Sequence, residues 1–503
     1  MSIHDFTVYS MFKRNASLYK NKTALIFDNE IITFGELLGQ IQSLSGGLSK
    51  HRIRKKDRIA ILSQNNHKFF QLCGAAAAIG AVVVPINCRL SGEEIQNILL
   101  DSAPPIIFFD EIYLDMISLL RPKCKSLKKF FVFGNPVGDF GSFDELMNNY
   151  PTKEVKVKGN DPYMLIYTAA VHGKPRGAIL NHDNVILCNL QAIGMMGLTY
   201  RDTYLNILPL FHVAGFALAF SVMHTGGRNV FIHGFEPKVV LEKIEKERIT
   251  IIGSFPPILT QLLAEMSKRA YDVSTLKHVL GIDSVETITE FERKTGCQFW
   301  LGYGQTETMG LTCICSNSER PGSTGRPGSL VDLKIVDEFD REVEIGKPGE
   351  ILIRGPLVFE GYWGEEELTN YTFREGWHHT GDMGRLDEEG YLFFVGRKAE
   401  KELIKPGGEN VYPVEVEKVV LGHPSIQEVS VIGVPDPKFG EGIKAVCVLK
   451  PNTKLSEQEL IDFVSGRIAR YKKPGYVEFV GSLPKKEDGS IDRVKVKAMY
   501  GDN

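Results

Sequence analysis

The chain of 503 residues is too long for one compact core and implies two to four domains. Apolar residues make up 43% and charged residues 24%, with a formal net charge of −3, the balance of a soluble globular protein. The basic excess that nucleic acid or an anionic membrane surface demands is missing, which sets those partners aside.

Residues 1–20 mix charged and apolar types without an apolar core and cleavage site, so no secretory leader is expected. In chain order, Ala24–Phe27 reads as a strand. Thr33-Phe-Gly-Glu-Leu37 reads as a helix start, with Thr33 as cap and Glu36 three residues on. Arg58–Leu62 is a buried strand. The longest apolar run, Phe69 to Ile86, raises the question of a membrane span. Gln71, Gly74, Gly80 and Pro85 within it favour a buried helix running into a buried strand, Ala81–Pro85. A helix near 91–101 and a strand at Ile106–Phe109 follow, and strand, helix and strand recur through 204–280. This alternation predicts α/β layers on a largely parallel sheet. Near residue 330 the pattern shifts to a smaller β-rich subdomain, with strands at Val331–Val336 and Glu350–Arg354. From about residue 398 an α+β unit is expected. Val414–Leu421 and Glu457–Ala469 are helical there, Val429–Val434 and Ala445–Leu449 are strands, and a Lys/Gly/Asp stretch read as mobile closes it. Such a unit can swing as a lid.

The eight cysteines are scattered, which is thiol usage of a reducing compartment and points to the cytoplasm. Cys313 and Cys315 form the one close pair, and no second pair or His cluster completes a zinc tetrad.

Five segments carry candidate chemistry. Tyr167-Thr-Ala-Ala-Val-His-Gly-Lys-Pro-Arg-Gly177 follows an apolar strand. Its small residues let backbone N–H groups approach a phosphate, and Lys174 and Arg176 add charge. The spacing is not that of a Walker A loop. In Leu208-Pro-Leu-Phe-His-Val-Ala-Gly215, His212 sits among apolar residues, where it is a core residue or orients a carboxylate. In Gly302-Tyr-Gly-Gln-Thr-Glu307, glycines permit close approach to a base or ribose and Tyr303 is free to stack. Thr306 offers a hydroxyl to a phosphate and Glu307 a hard oxygen to Mg²⁺. In His379-Thr-Gly-Asp-Met-Gly384, Asp382 is an acceptor for two ribose hydroxyls, and Arg397 is a donor to the same sugar. Lys405-Pro-Gly-Gly-Glu-Asn-Val-Tyr-Pro413 reads as an exposed, adaptable loop suited to a passing thiol. Each segment alone also reads as an ordinary turn.

Taken together and in this order, the segments resemble the AMP-forming acyl-CoA synthetases of the acyl/aryl-CoA ligase, peptide-synthetase adenylation and luciferase superfamily. The most specific stretches are Gly302–Glu307, Gly349-Glu-Ile-Leu-Ile-Arg-Gly355, Trp377-His-His-Thr-Gly-Asp382 and Gly407-Gly-Glu-Asn-Val-Tyr-Pro413. The resemblance implies a large N-terminal domain over residues 1–396 and a mobile C-terminal domain over 397–503. It implies use of ATP, Mg²⁺ and coenzyme A on a small carboxylic acid, aliphatic or aromatic, with a homodimer left open. Thr306, Glu307, His212, Lys174 and Arg176 would be catalytic, with Glu307 and Thr168 at the metal. Gly281, Gly302, Tyr303, Gly304 and Gln305 would line the adenine pocket, Thr168 and Gly173 the phosphates, and Asp382 and Arg397 the ribose. Phe211, His212, Val213, Gly215 and Phe255 would form the acyl pocket. Lys405, Gly407 and Gly408 would line the pantetheine tunnel after rotation of the C-terminal domain.

Three departures from the family pattern stand out. The phosphate loop has lost hydroxyls at 169, 171 and 172 and a glycine at 170. Ser490 stands where the family has a lysine that reaches the α-phosphate, with Lys485, Lys486 or Lys495 as substitutes. The hinge after Arg397 is two residues longer, which leaves Ala399 or Lys401 as the pivot. These departures set a second expectation beside a working acid:CoA ligase, a nucleotide- or acyl-CoA-binding protein that has lost adenylation. A third is an enzyme running mainly toward ATP. A free-standing peptide-synthetase adenylation domain is disfavoured, because no carrier segment is expected after residue 503.

Overall fold

The computed structural model describes residues 5–151, 155–168, 176–398, 403–486 and 489–501. Two large sheets enclose a central layer of helices. In the seven-stranded sheet, Arg58–Leu62 pairs in parallel with Val82–Pro85 and Ile106–Phe109, and Pro162–Thr168 extends it beside Val82–Pro85. In the nine-stranded sheet, Arg228–Phe231, Thr203–Asn206, Ile251–Ser254, His278–Gly281 and Gln298–Tyr303 run parallel in that order. Helices Phe34–Lys50, His67–Ile79, His182–Met196 and Val213–Thr225 fill the space between and share one core with both sheets.

The local chemistry follows expectation at several points. Thr33 caps Phe34–Lys50 through its side chain while Glu36 reaches back to the Thr33 amide, a reciprocal pair that satisfies two orphan donors. The apolar run at 69–86 is the innermost helix, ended by Gly80 at φ 71°, then the strand Val82–Pro85. Among the described residues no helix is long and apolar enough to cross a membrane.

Two further sheets complete the chain. Asp332–Val336, Gly349–Arg354, Phe373–Arg374, Trp377–Leu386 and Leu392–Arg397 form an antiparallel sheet that carries Asp382 and Arg397 opposite each other. Ile426–Asp436, Gly440–Leu449 and Tyr476–Phe479 form a three-stranded sheet with its own cores on two faces. Helices Pro413–Leu421 and Glu457–Ser465, with Ile404 and Val411, cover one face. Leu483, Ile491 and Val496 cover the other.

Several expectations are corrected. Residues 176–181, for which no element was expected, form a strand that returns antiparallel to Pro162–Thr168. The helix from Glu457 stops at Ser465 rather than Ala469. The closing stretch ends in a helix, Arg493–Tyr500, capped by Asp492 and anchored by Val496. All eight cysteines are free; seven are buried and Cys88 is half-buried. Burial raises every one of their thiol pKa values.

Candidate active site

The carboxyl ends of the parallel strands meet the antiparallel sheet at one hydrogen-bonded network. Asp382 is 5% exposed. Its Oδ2 accepts from the Tyr303 hydroxyl at 3.0 Å and from Gln305 Nε2 at 2.7 Å, and its Oδ1 accepts from Arg397 Nε at 3.1 Å. Gln305 also donates to the Thr380 carbonyl at 2.9 Å. Segments more than 70 residues apart in sequence are thus locked together. A carboxylate accepts about four hydrogen bonds, so one place on Oδ1 stays open beside Arg397. The side of Asp382 left for the expected ribose hydroxyls is that of Oδ1, next to Arg397.

The Tyr303 ring is 6% exposed and packs in a core with Ile335, Ile351 and Leu392, which holds its hydroxyl on Asp382. Glu350 supports the same turn. Its Oε1 accepts from the Gly381 amide at 2.9 Å and its Oε2 lies 2.7 Å from Lys398 Nζ. Burial alone would raise its pKa, but bonds from His379 and Lys398 hold it at about 2. Asp340, Glu350 and His379 lie within ligand distance of one another. Lys398 and Arg374 already occupy that cluster, with Arg374 Nη2 2.6 Å from His379 Nδ1, so it does not suit a metal.

Glu307 fits a metal better. Its Oε1 accepts from the Tyr362 hydroxyl at 2.8 Å, and among the described residues no cation pairs with it. Burial and the Glu307 charge push the Tyr362 pKa well up, so the phenol stays a donor. The Arg176 guanidinium lies 5.8 Å from the Tyr362 ring centre, which brings the returning strand to the same place.

A cavity of about 110 Å³ lies next to Gln305 and Glu307 at Thr306; Thr168, Phe211, His212, Thr306, Glu409 and Asn410 are among its walls. His212 caps the helix Val213–Thr225, with Nδ1 accepting from the Ala214 amide at 3.2 Å. Burial lowers its pKa, with Lys405 and Arg89 adding to the effect and Glu409 opposing it. Because Nδ1 accepts from the Ala214 amide, it carries no proton, which leaves Nε2–H as a donor. Its ring meets Phe255 edge-on at 6.4 Å. The residue types around it are tightly constrained. A Cβ on Gly215 would sit 2.3 Å from the Pro209 carbonyl oxygen, and one on Gly281 1.7 Å from that of Ser254. A Cβ on Gly304 would lie 2.4 Å from the Gly310 backbone, whereas Gly302 has ordinary room. Val213 is buried.

The 405–412 loop is not an exposed entry turn. Residues 405–410 are half-buried. Gly408, at φ 86°, packs so that a Cβ there would lie 3.0 Å from the Phe255 ring, and Gly407 lies against the Pro256 carbonyl. Burial, together with Arg397, brings the Lys405 pKa down to about 8. Glu409 is paired with Arg89 and accepts from Asn87 Nδ2 at 3.3 Å. The sequence reading missed Gln305's bond to Asp382, Tyr362, Asn87 and Arg89. Only Tyr362 carried a trace, lying beyond a strand end among glycines. Lys174, Gly173, Ala399 and Lys401 lie outside the described residues. Ser490 is exposed in the segment that covers the sheet face opposite the loop, where Lys485 pairs with Glu428 at 2.7 Å and Lys495 with Asp492 at 3.3 Å.

A large α/β body, an antiparallel sheet carrying a buried Asp–Arg pair, and a small α+β unit closing over the cleft define an adenylate-forming fold. The sequence pattern of the AMP-binding enzymes matches residues 12–363, and that of the AMP-binding enzyme C-terminal domain matches residues 415–490. A feruloyl-CoA synthase from Amycolatopsis sp is 31% identical over 97% of this chain and 98% of its own length. An indoleacetate–CoA ligase from Aromatoleum aromaticum is 30% identical over 97% and 96%. The solved o-succinylbenzoate CoA synthetase of Bacillus subtilis aligns with a TM-score of 0.86 at 28% identity over 98% of each chain. This chain belongs to the AMP-binding enzyme family.

Proposed function

We infer that the chain is an AMP-forming acid–thiol ligase that joins a carboxylic acid to coenzyme A through an acyl-adenylate. The observation that carries this is the Tyr303–Gln305–Asp382–Arg397 network set beside a cavity reaching from Thr306 and His212 to Glu409 and Asn410. One end suits a nucleotide and the other a thiol. The CoA-ligase names of relatives matched along nearly the whole chain support it.

In the first step a carboxylate oxygen bonds to the α-phosphorus of ATP and the bond to pyrophosphate breaks. Charge grows on phosphate oxygens, so Arg176, Lys174 and the Thr306 hydroxyl stabilise that state. Glu307 and Thr168 would hold a magnesium ion, which would neutralise part of the same charge. Asp382 and Arg397 hold the ribose, and the Gly281 and Gly302–Gln305 backbones border the adenine. In the second step the CoA sulfur bonds to the acyl carbon, the carbon–oxygen bond to AMP breaks, and the thiol proton leaves to solvent. His212 donates from Nε2 to an acyl oxygen in the pocket of Phe211, Val213, Gly215 and Phe255. Lys405, Gly407 and Gly408 border the thiol's path.

We place the domain division at 396/397. The small sheet has two faces, with the 405–412 loop joined to one and Ser490 in the segment covering the other, so a turning domain can present each in its own step. The acid is aliphatic or aromatic, and the cytoplasm supplies ATP, CoA and reduced thiols. Light scattering decides between monomer and homodimer. Mass spectrometry after offering a mixed pool of acids with ATP, Mg²⁺ and CoA tests the function. An acyl-CoA product is expected; pyrophosphate exchange that stays silent for every acid would overturn it.

A further inference from the structure

At the far end of the same cavity lies an ion cluster that the nucleotide chemistry does not use. Lys472 is 3% exposed, and its Nζ lies 2.5 Å from Glu94 Oε1 and 2.9 Å from Glu415 Oε2. Glu94 opens the helix Gly92–Ser102 of the large body, whereas Lys472 and Glu415 belong to the small unit. The second oxygen of Glu94 accepts from the Ser91 amide at 2.8 Å and from the Ala469 amide at 3.2 Å. One carboxylate thus caps a helix on its own side and receives an ammonium and a backbone amide from across the boundary. A few residues upstream, Asn87 and Arg89 grip Glu409, the neighbour of Gly408.

An ammonium buried this deeply is stable only while its partners stay. With two carboxylates on it, the cluster carries net negative charge, which disfavours a phosphate. Its geometry suits docking instead. If the small unit swings away, Lys472 keeps Glu415 but loses Glu94, and the Ala469 amide loses its acceptor. We propose that Lys472, seated between Glu94 and Glu415, is the positioning residue that docks the small unit with Glu409 and Asn410 beside His212, and so serves acyl transfer and not adenylation. The assignment to acyl transfer rests on the ligase reading above; the docking itself does not.

The test uses full-length Lys472→Met, Lys472→Arg and Glu94→Gln. Gln preserves the reciprocal cap on the helix, so Glu94→Gln folds even where Lys472→Met fails. Acyl transfer from preformed acyl-adenylate to CoA is expected to fall roughly 10- to 100-fold in Lys472→Met and Glu94→Gln, as for loss of a buried charge partner. ATP–pyrophosphate exchange stays within about twofold of wild type, and Lys472→Arg recovers most of the transfer rate, because the arginine keeps the charge. Hydrogen exchange at the Ala469 amide is read in the same proteins. It should quicken about tenfold or more in Glu94→Gln and Lys472→Met as the docked state loses population. Unchanged Ala469 protection overturns the docking role even if no acid is ever turned over. Equal falls in both half-reactions, or an unchanged transfer rate, overturn the assignment to acyl transfer.

Discussion

Replacing Asp382 by Asn keeps the volume of the side chain and removes its charge. In the wild-type network Oδ2 is filled by Tyr303 and Gln305, and Oδ1 holds Arg397 with one position open. An amide has one oxygen, so it cannot serve both sets of donors. At least one of the three loses its acceptor, which costs about 1–3 kcal/mol of stability for a buried donor. The bond a ribose hydroxyl makes to the open side of Oδ1 changes from a charged to a neutral acceptor or disappears. A hydrogen bond to a charged group contributes about 1.5–3 kcal/mol, so AMP affinity should drop roughly 10- to 150-fold. Calorimetric titration of AMP gives the affinity, and urea unfolding of the same samples gives the stability. AMP binding within about twofold of wild type, in a protein that unfolds at a lower urea midpoint, would refute the argument. Asp382 would then be a structural anchor for Tyr303 and Gln305, and the ribose would be held elsewhere.

Ser490→Lys should speed acyl-adenylate formation by roughly a hundredfold, the usual worth of one well-placed charge stabiliser, and leave acyl transfer unchanged. Pyrophosphate exchange reads the first step, and no gain would mean another cation already fills the position. Gly408→Ala meets the Phe255 ring at 3.0 Å with φ at 86°, so the 405–412 loop must lift. Transfer to CoA should slow while pyrophosphate exchange holds, and equal transfer rates would show the packing to be irrelevant to that step. Acid should weaken the fold through two buried histidines. Burial brings His182 down to about 3 and His224 to about 4, against an ordinary 6.5. The unfolded chain takes up protons first as pH falls. Their contribution is thus complete above about pH 6.5 and lost below it, by about 2 kcal/mol each at pH 5. The urea midpoint should fall between pH 7 and pH 5, and His182→Gln should flatten that slope; an unmoved midpoint contradicts the argument.

The layered architecture was legible where side-chain periodicity acts locally. Thr33 and Glu36 announce a cap because both partners lie within one turn, and Phe69–Ile86 announces a buried helix and strand because glycine and proline interrupt it. The turns bearing Gln305, Glu307 and Asp382 were legible as composition, and the fold does bring them together. What was hidden depends on distance in space. Nothing around Tyr303 shows that its ring faces a core, since that follows from the antiparallel sheet packing over the strand end. The pairing of Arg89 with Glu409, and of Glu94 with Lys472, crosses more than 300 residues and appears only once the two units are docked. The strand over 176–181 was not anticipated, because six residues ending in a helix cap carry little strand signal.

The burial of seven of the eight thiols has a chemical consequence for an enzyme of this kind. An acyl-adenylate reacts with any thiolate within reach, and the cosubstrate is itself a thiol delivered beside it. With seven sulfurs enclosed and the pKa of the half-buried Cys88 also raised by burial, the protein holds its own thiols in the less reactive protonated form. At the seven buried positions, packing suppresses self-acylation and mixed disulfides with coenzyme A.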